Sequence, residues 1–406
     1  MIAIVLATAS IRLRSAEAQV LTVDSGTTTI SSSTGYASTT VATNANDLAT
    51  LAVTTSGTLT NSGTLTLGNS GTGTLTVDGG SVTNGIGFLG NNTFGVGTAE
   101  VSSGTWANSG DLFVGRFGTG TLDVTGGSVT NLNGYLGLRA DSVGTATVSS
   151  GTWANSGNLN VGVYGTGTLT VDGGSVTNTY GYLGYNADSV GTATVSSGTW
   201  ANSGDLNIGD SGTGTLTVNG GSVSVAGTLS QGTYGTINLN SGGTLQIGVG
   251  GTTGVLSVAT LTNNGTLIFN RSDASTFSGI ISGTGAVTKL GAGTLTLSGS
   301  NAYSGATTVS AGVLAYGASN VLSDSTAVTV SGGNLNLGSF NDTVGSFTIT
   351  SGSLAGSGKL TAATYALGGG TVAANLGSGT MTVTANSNLN GTADVTSVSL
   401  NAGTLS

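Results

Sequence analysis

The heptapeptide GTWANSG begins at residues 104, 151 and 198, so the chain's three tryptophans, Trp106, Trp153 and Trp200, fall 47 residues apart. The same interval separates GTGTLTVDGGSVTN (71–84), GTGTLDVTGGSVTN (118–131), GTGTLTVDGGSVTN (165–178) and GTGTLTVNGGSVSV (212–225). Self-similarity at such a period marks an array whose units bury their apolar faces against one another. Inside each unit runs a looser echo, G-T-x-x-V-x-x-G-[ST]-[VW]-x-N. Its first glycines are Gly73, Gly97, Gly120, Gly144, Gly167, Gly191 and Gly214, in steps that alternate 24 and 23. One coil is therefore about 23–24 residues, and the 47-residue period is two coils.

The local pattern is β. Thr74-Leu75-Thr76-Val77 alternates polar and apolar, the period of a strand with one buried face. Gly-Gly and Asn-Ser-Gly bound these segments, where glycine accepts positive φ. Short strands joined by glycine corners in 23–24 residues make one coil of a parallel β-helix, each strand pairing with its equivalent one coil away, about 4.8 Å along the axis. The total lack of proline agrees, because strand N–H groups must serve the neighbouring coil. Leu75/Val77, Leu122/Val124, Leu169/Val171 and Leu216/Val218 should point inward, and Thr74/Thr76, Thr168/Thr170 and Thr215/Thr217 outward. Asn84, Asn108, Asn131, Asn155, Asn178 and Asn202 form one column, expected to hydrogen-bond up the stack as an amide ladder. In the column two residues earlier, Val82, Val129 and Val176 alternate with the tryptophans. An inward row avoids overpacking by this alternation; an outward tryptophan row is the competing reading.

Composition narrows the function classes. Seven basic against 16 acidic residues give a net charge of −9, which argues against neutralising the phosphates of a nucleic acid. Cys and His are both absent, removing disulfides, the usual zinc ligands and every His- or Cys-based catalytic scheme. No apolar run reaches the length of a membrane-spanning helix. At the N-terminus, Ile2–Ala9 resembles the apolar region of a signal peptide and Ala16-Glu17-Ala18 offers its cleavage site.

Residues 63–225, through GTGTLTVDGGSVTN, GYLG (134–137, 181–184) and GTATVSSGTWANSG, resemble the type V secretion and PEP-CTERM-associated repeats of bacterial exported proteins. Residues 283–314, GTGAVTKLGAGTLTLSGSNAYSGATTVSAGVL, resemble the autotransporter-associated, or passenger-associated, β-strand repeat. The matching positions are Lys289, Gly291, Gly293, Leu295, Leu297, Asn301, Tyr303, Gly305, Thr307, Val309, Gly312 and Leu314. The resemblance implies an all-β, right-handed parallel β-helix solenoid, exported and displayed by an outer-membrane β-barrel translocator. The chain ends SLNAGTLS in mid-pattern, without barrel strands or a cap, so it is expected to be part of a longer protein. The organisation follows. Residues 1–18 are a signal peptide, 19–60 irregular N-terminal coils and 61–225 tandem 47-residue double-coil repeats. Residues 226–280 are transition coils, and 281–406 the autotransporter-associated β-strand repeat region.

Chemistry is sparse. Paired carboxylates remain open to acid/base work, but the cations beyond residue 18, Arg116, Arg139, Arg271, Lys289 and Lys359, are widely separated in sequence. Asp78 and Asp172 occupy D-G-G turns, Asp141 and Asp188 precede S-V-G-T, and Asp111 and Asp205 share a column. Turn chemistry explains each, since Asp bonds its own backbone at corners. Arg271-Ser272-Asp273 is the one place that invites a search for a site. The outward threonine ranks resemble those of ice-binding proteins but are broken by Glu100 and Asp123, and threonine favours strands in any case. No catalytic, cofactor-binding or metal residues are assigned, and no cofactor is expected. The reading is a non-enzymatic exported or cell-surface passenger rod, a stalk or adhesin whose partner is a glycan, matrix or cell-surface ligand. The alternative is a β-helical carbohydrate-active enzyme, a polysaccharide lyase or hydrolase. A groove with three or more clustered acidic and basic groups would favour the enzyme.

Overall fold

The structure is a computed structural model that describes Leu6–Ala7 and residues 19–406. Apart from Leu6–Ala7, a two-residue strand antiparallel to Thr27–Thr28, the signal-peptide reading lies outside the described residues. Every regular element among the described residues is a β-strand. The chain divides into two compact units, Met1–Val223 with Gln231–Ile237, and Ser224–Ser230 with Asn238–Ser406. Each is a β-solenoid of stacked parallel strands.

In the N-terminal unit each coil contributes to three strand columns. The first passes through Thr72–Asp78, Val96–Val101 and Thr119–Val124. The second contains Ser81–Asn84, Thr105–Asn108 and Ser128–Asn131. The third contains Ile86–Leu89, Leu112–Val114 and Gly134–Leu136. Thr72 pairs with Val96, Val96 with Thr119, Thr119 with Val143 and Val143 with Thr166. These steps alternate 24 and 23, as the glycine spacing requires. All eight Leu and Val residues expected inside are completely buried. The corner after the third column turns on glycine: Gly90 has φ +67°, and a Cβ there would lie 2.2 Å from the Thr119 carbonyl oxygen.

Trp106, Trp153 and Trp200 are completely buried, which removes the outward reading. Room for them comes from three columns at once. Val82 pairs with Trp106 and Trp106 with Val129. Leu75 pairs with Ala99 and Ala99 with Leu122. Gly134 pairs with Leu112 on one side and Leu159 on the other. One coil thus supplies Leu, Val and Gly, and the next Ala, Trp and Leu. The glycine is required by contact, since a Cβ on Gly134 would meet Trp153 Cζ2 at 2.8 Å and Asn155 Oδ1 at 2.5 Å. Small beside large keeps the density of the narrow core constant.

The asparagine column forms pairs where a continuous ladder was expected. Asn84 Nδ2 donates to Asn108 Oδ1 (2.7 Å), Asn131 to Asn155 (2.6 Å) and Asn178 to Asn202 (2.6 Å). The indole N–H groups of Trp106, Trp153 and Trp200 donate to Asn84, Asn131 and Asn178 Oδ1 at 2.8, 2.7 and 2.6 Å. Asn131 Oδ1 receives the Trp153 indole and not Asn108. Asn108 Nδ2 turns instead to the Thr130 carbonyl (3.2 Å), and Asn155 Nδ2 to that of Thr177 (3.2 Å). A buried indole N–H needs an acceptor, and the asparagine that supplies it begins a new pair at every second coil. The 47-residue period is this two-coil clamp.

The C-terminal unit keeps the solenoid and shortens the step. Val287 pairs with Thr307, Thr307 with Val328, Val328 with Phe347, Phe347 with Tyr365 and Tyr365 with Met381, steps of 20, 21, 19, 18 and 16.

Candidate functional site: an outward aromatic face

The N-terminal unit turns very different residues outward on its different strand columns. On the first two columns the outward positions carry mainly small polar residues such as Thr98, Thr121, Ser128 and Thr130. On the third column the outward row reads Thr66, Phe88, Phe113, Tyr135, Asn160, Tyr182, Asn207, residue on residue in register. Parallel pairing puts these side chains one strand spacing apart, so neighbouring rings must stack. Phe88 and Phe113 do so with centroids 5.2 Å apart and planes 9° apart, and Phe113 and Tyr135 at 4.9 Å and 12°. Tyr182 meets Tyr185 edge-on at 5.1 Å.

The corner that follows this column adds exposed Phe94, Phe117, Tyr164 and Tyr185. It also brings together two cations that sequence separation had seemed to keep apart. Arg116 and Arg139 are 23 residues apart, one coil, and the Arg139 amide donates to the Arg116 carbonyl at 3.2 Å. The Arg116 guanidinium lies 4.9 Å from the Phe88 ring centroid and 5.3 Å from that of Phe117, and the Arg139 guanidinium is 5.6 Å from Phe117. Arg116 Nη1 also donates to Asn91 Oδ1 at 3.0 Å. Burial raises the pKa of the Tyr135 hydroxyl, and the Asp111 carboxylate adds to that rise. Burial likewise raises that of Tyr182, with Tyr185 and Asp205 contributing.

None of these aromatic residues had been singled out from the sequence. The signal lies in the third-column segments GFLG, DLFVG and GYLG (87–90, 111–115 and 134–137), where an aromatic recurs at the outward position. It is weak because Asn160 and Asn207 interrupt it.

The other sequence candidates make contacts within and between coils. Asp78 Oδ1 accepts the hydroxyls of Ser102 and Ser103, and Asp172 Oδ1 that of Ser197. Asp111 Oδ1 accepts the backbone amide and side-chain Nδ2 of Asn133. These aspartates therefore tie one coil to the next, where bonds to their own backbone had been expected. Asp141 and Asp188 sit at φ 64° and 65° in their turns. Arg271 and Asp273 form an ion pair at 2.7 Å, and Arg271 Nη1 also donates to the Gly254 carbonyl. The adjoining groove of about 220 Å³ is lined by Val255, Phe269, Phe277, Leu295 and neighbours, with Arg271 its one charged lining residue. No group of three or more carboxylates close enough to share a metal ion occurs among the described residues.

Residues 287–315 match the family model of the passenger-associated-transport-repeat, a repeat of type V autotransporter passengers. No curated protein matches the chain, and no solved structure does. Inside the matched stretch Leu295, Leu297, Asn301, Tyr303, Thr307 and Val309 are all buried. So is Lys289, whose ammonium donates to the Gly291 and Ala311 carbonyls. Burial without a carboxylate partner lowers the pKa of that ammonium. The matched motif thus describes the inside of a coil.

Proposed function

We propose that this chain, a β-solenoid carrying an autotransporter passenger repeat, is a non-enzymatic passenger displayed on the bacterial outer-membrane surface. It works as a stalk or adhesin, delivered by an outer-membrane β-barrel translocator. One observation carries the reading: the recurring motif residues, from the Trp–Asn clamps to Lys289 and Tyr303, lie in the core. What the repeats preserve is a way of stacking, and ligand contacts fall to the variable outward positions. Protease treatment of intact cells expressing the gene tests display. The passenger should be digested without lysis, and protection until the envelope is opened would contradict the proposal.

A further inference from the structure

From the aromatic face we infer a binding site for an acidic polysaccharide, anchored by Arg116, Phe117 and Arg139. The inference deepens the adhesin reading and rests on it only for where the partner is met; binding in solution is independent of display.

Charge is the first argument. Arg116 and Arg139 are the cations of the N-terminal unit among its described residues. They are stacked one coil apart, an arrangement in which like charges repel. Neither has a carboxylate within ion-pair distance, although acids outnumber bases 16 to 7. The ion pairs among the described residues are Arg271–Asp273 and Lys359–Asp394, both in the other unit. A chain this acidic has held two guanidinium groups together without supplying the anion they lack.

Geometry is the second. Both guanidinium groups sit against the Phe117 ring, and Arg116 is held further by Phe88 and Asn91. Cation–π contact fixes their planes and leaves N–H groups free to take a carboxylate or sulfate through two parallel hydrogen bonds. Fixing the donors beforehand lowers the cost of ordering them on binding.

The third argument identifies a polymer. Outward tyrosines accompany and follow the arginines: Tyr135 on the third column in the coil of Arg139, Tyr164 at the corner of the next coil, where the column itself carries Asn160, and Tyr182 on the column one coil further. Their projecting edges give a sugar ring's apolar C–H face a surface to pack on, beside hydroxyls that can bond its polar rim. An extended chain of charged sugars would use both features. A lone anionic headgroup would use only the arginines.

The test uses the full chain with four probes: polygalacturonate, dextran sulfate, neutral dextran of matched length, and vesicles of phosphatidylglycerol. Polygalacturonate and dextran sulfate should bind, more weakly as salt rises. R116Q/R139Q should lose affinity about tenfold or more, given the usual strength of charged hydrogen bonds. R139K, keeping the charge without the fork, should lose less, and R271Q should match the parent. Neutral dextran and the vesicles should not bind. Equal binding of neutral dextran, binding to vesicles in place of the polymers, or undiminished binding by R116Q/R139Q would each overturn the inference. Thermal melts establish folding, and R139Q alone, at an exposed position, serves if the double variant melts early.

Discussion

Trp153 of the N-terminal unit and Tyr303 of the C-terminal unit are each a large aromatic with no exposed surface and one polar group to satisfy. Trp153 finds its acceptor 22 residues away, in Asn131 of the preceding coil. Tyr303 finds its partner four residues away, its hydroxyl 2.6 Å from Thr307 Oγ1 in the same coil. A bond between coils fixes the residues of both, so the N-terminal unit must repeat in pairs and at constant length. A bond within a coil makes no such demand, and the side-chain bonds that do cross coils around Tyr303, Asn301 Nδ2 to the Val321 carbonyl and Thr326 Oγ1 to that of Tyr303, end on backbone and set no partner's side chain. The C-terminal unit accordingly drifts in sequence, and its step falls from 21 to 16. The same contrast governs the surface. The N-terminal unit seals its tryptophans inside and sets phenylalanines and tyrosines outside, whereas Phe269, Phe277, Tyr303, Tyr316, Phe347 and Tyr365 of the C-terminal unit are buried.

The comparison breaks most visibly at the core aromatic. Trp153→Ala should cost about 3–5 kcal/mol and loosen amides of the coils on both sides, as read by hydrogen exchange. Confinement of that loosening to the coil of residue 153 would contradict the clamp. Asn131→Ala comes next, since it strands the Trp153 N–H and the Asn155 carbonyl together, for about 2–4 kcal/mol. Thr307→Val, removing one partner of one hydroxyl, should cost about 1–2 kcal/mol by the same denaturation assay. Gly134→Ala should cost about 1–3 kcal/mol through overpacking. Combined with Trp153→Phe its penalty should shrink, a coupling that a double-mutant cycle measures. Additive losses would mean that the glycine serves the corner and leaves the indole unaffected.

The smallest effect is a pH dependence at the C-terminal unit's buried Asp342. Burial raises its carboxyl pKa, against the opposing bond from the Leu322 amide. A raised folded-state value means the folded unit holds the proton more tightly. The stabilisation is complete below the unfolded value, about 3.9, and is lost as pH rises through the folded one. Lowering the pH from neutral should therefore stabilise the parent more than Asp342→Asn, which keeps only such gain as Asp123, likewise raised by burial, supplies, as thermal melts at the two pH values would show.

Much of this was legible because the repeats are close copies. The 24/23 step follows from seven glycines, and the inward Leu and Val residues follow from alternation. The orientation of Trp106 was not legible, because it depends on packing against Gly87 of a different column, where a Cβ would lie 3.1 Å from Trp106 Cζ2. The asparagine column was visible, but its division into pairs depends on where each indole N–H and each Asn Nδ2 points, which the column alone does not show. The aromatic face escaped for a different reason. Outward positions are under no packing constraint, so their residues vary from coil to coil, and Arg116 and Arg139 become neighbours only once the coil length is applied to the chain.

Because Trp106, Trp153 and Trp200 are the only tryptophans in the sequence, emission from the intact chain reports on the clamp alone. Acrylamide quenching of the folded protein, with and without polygalacturonate, is therefore the most direct test of the claim that the repeat encodes stacking. The emission should be blue-shifted, nearly unquenched and unchanged by the polymer. Red-shifted, readily quenched emission, or a spectrum that moves when the polymer binds, would place the tryptophans at the surface and contradict the claim.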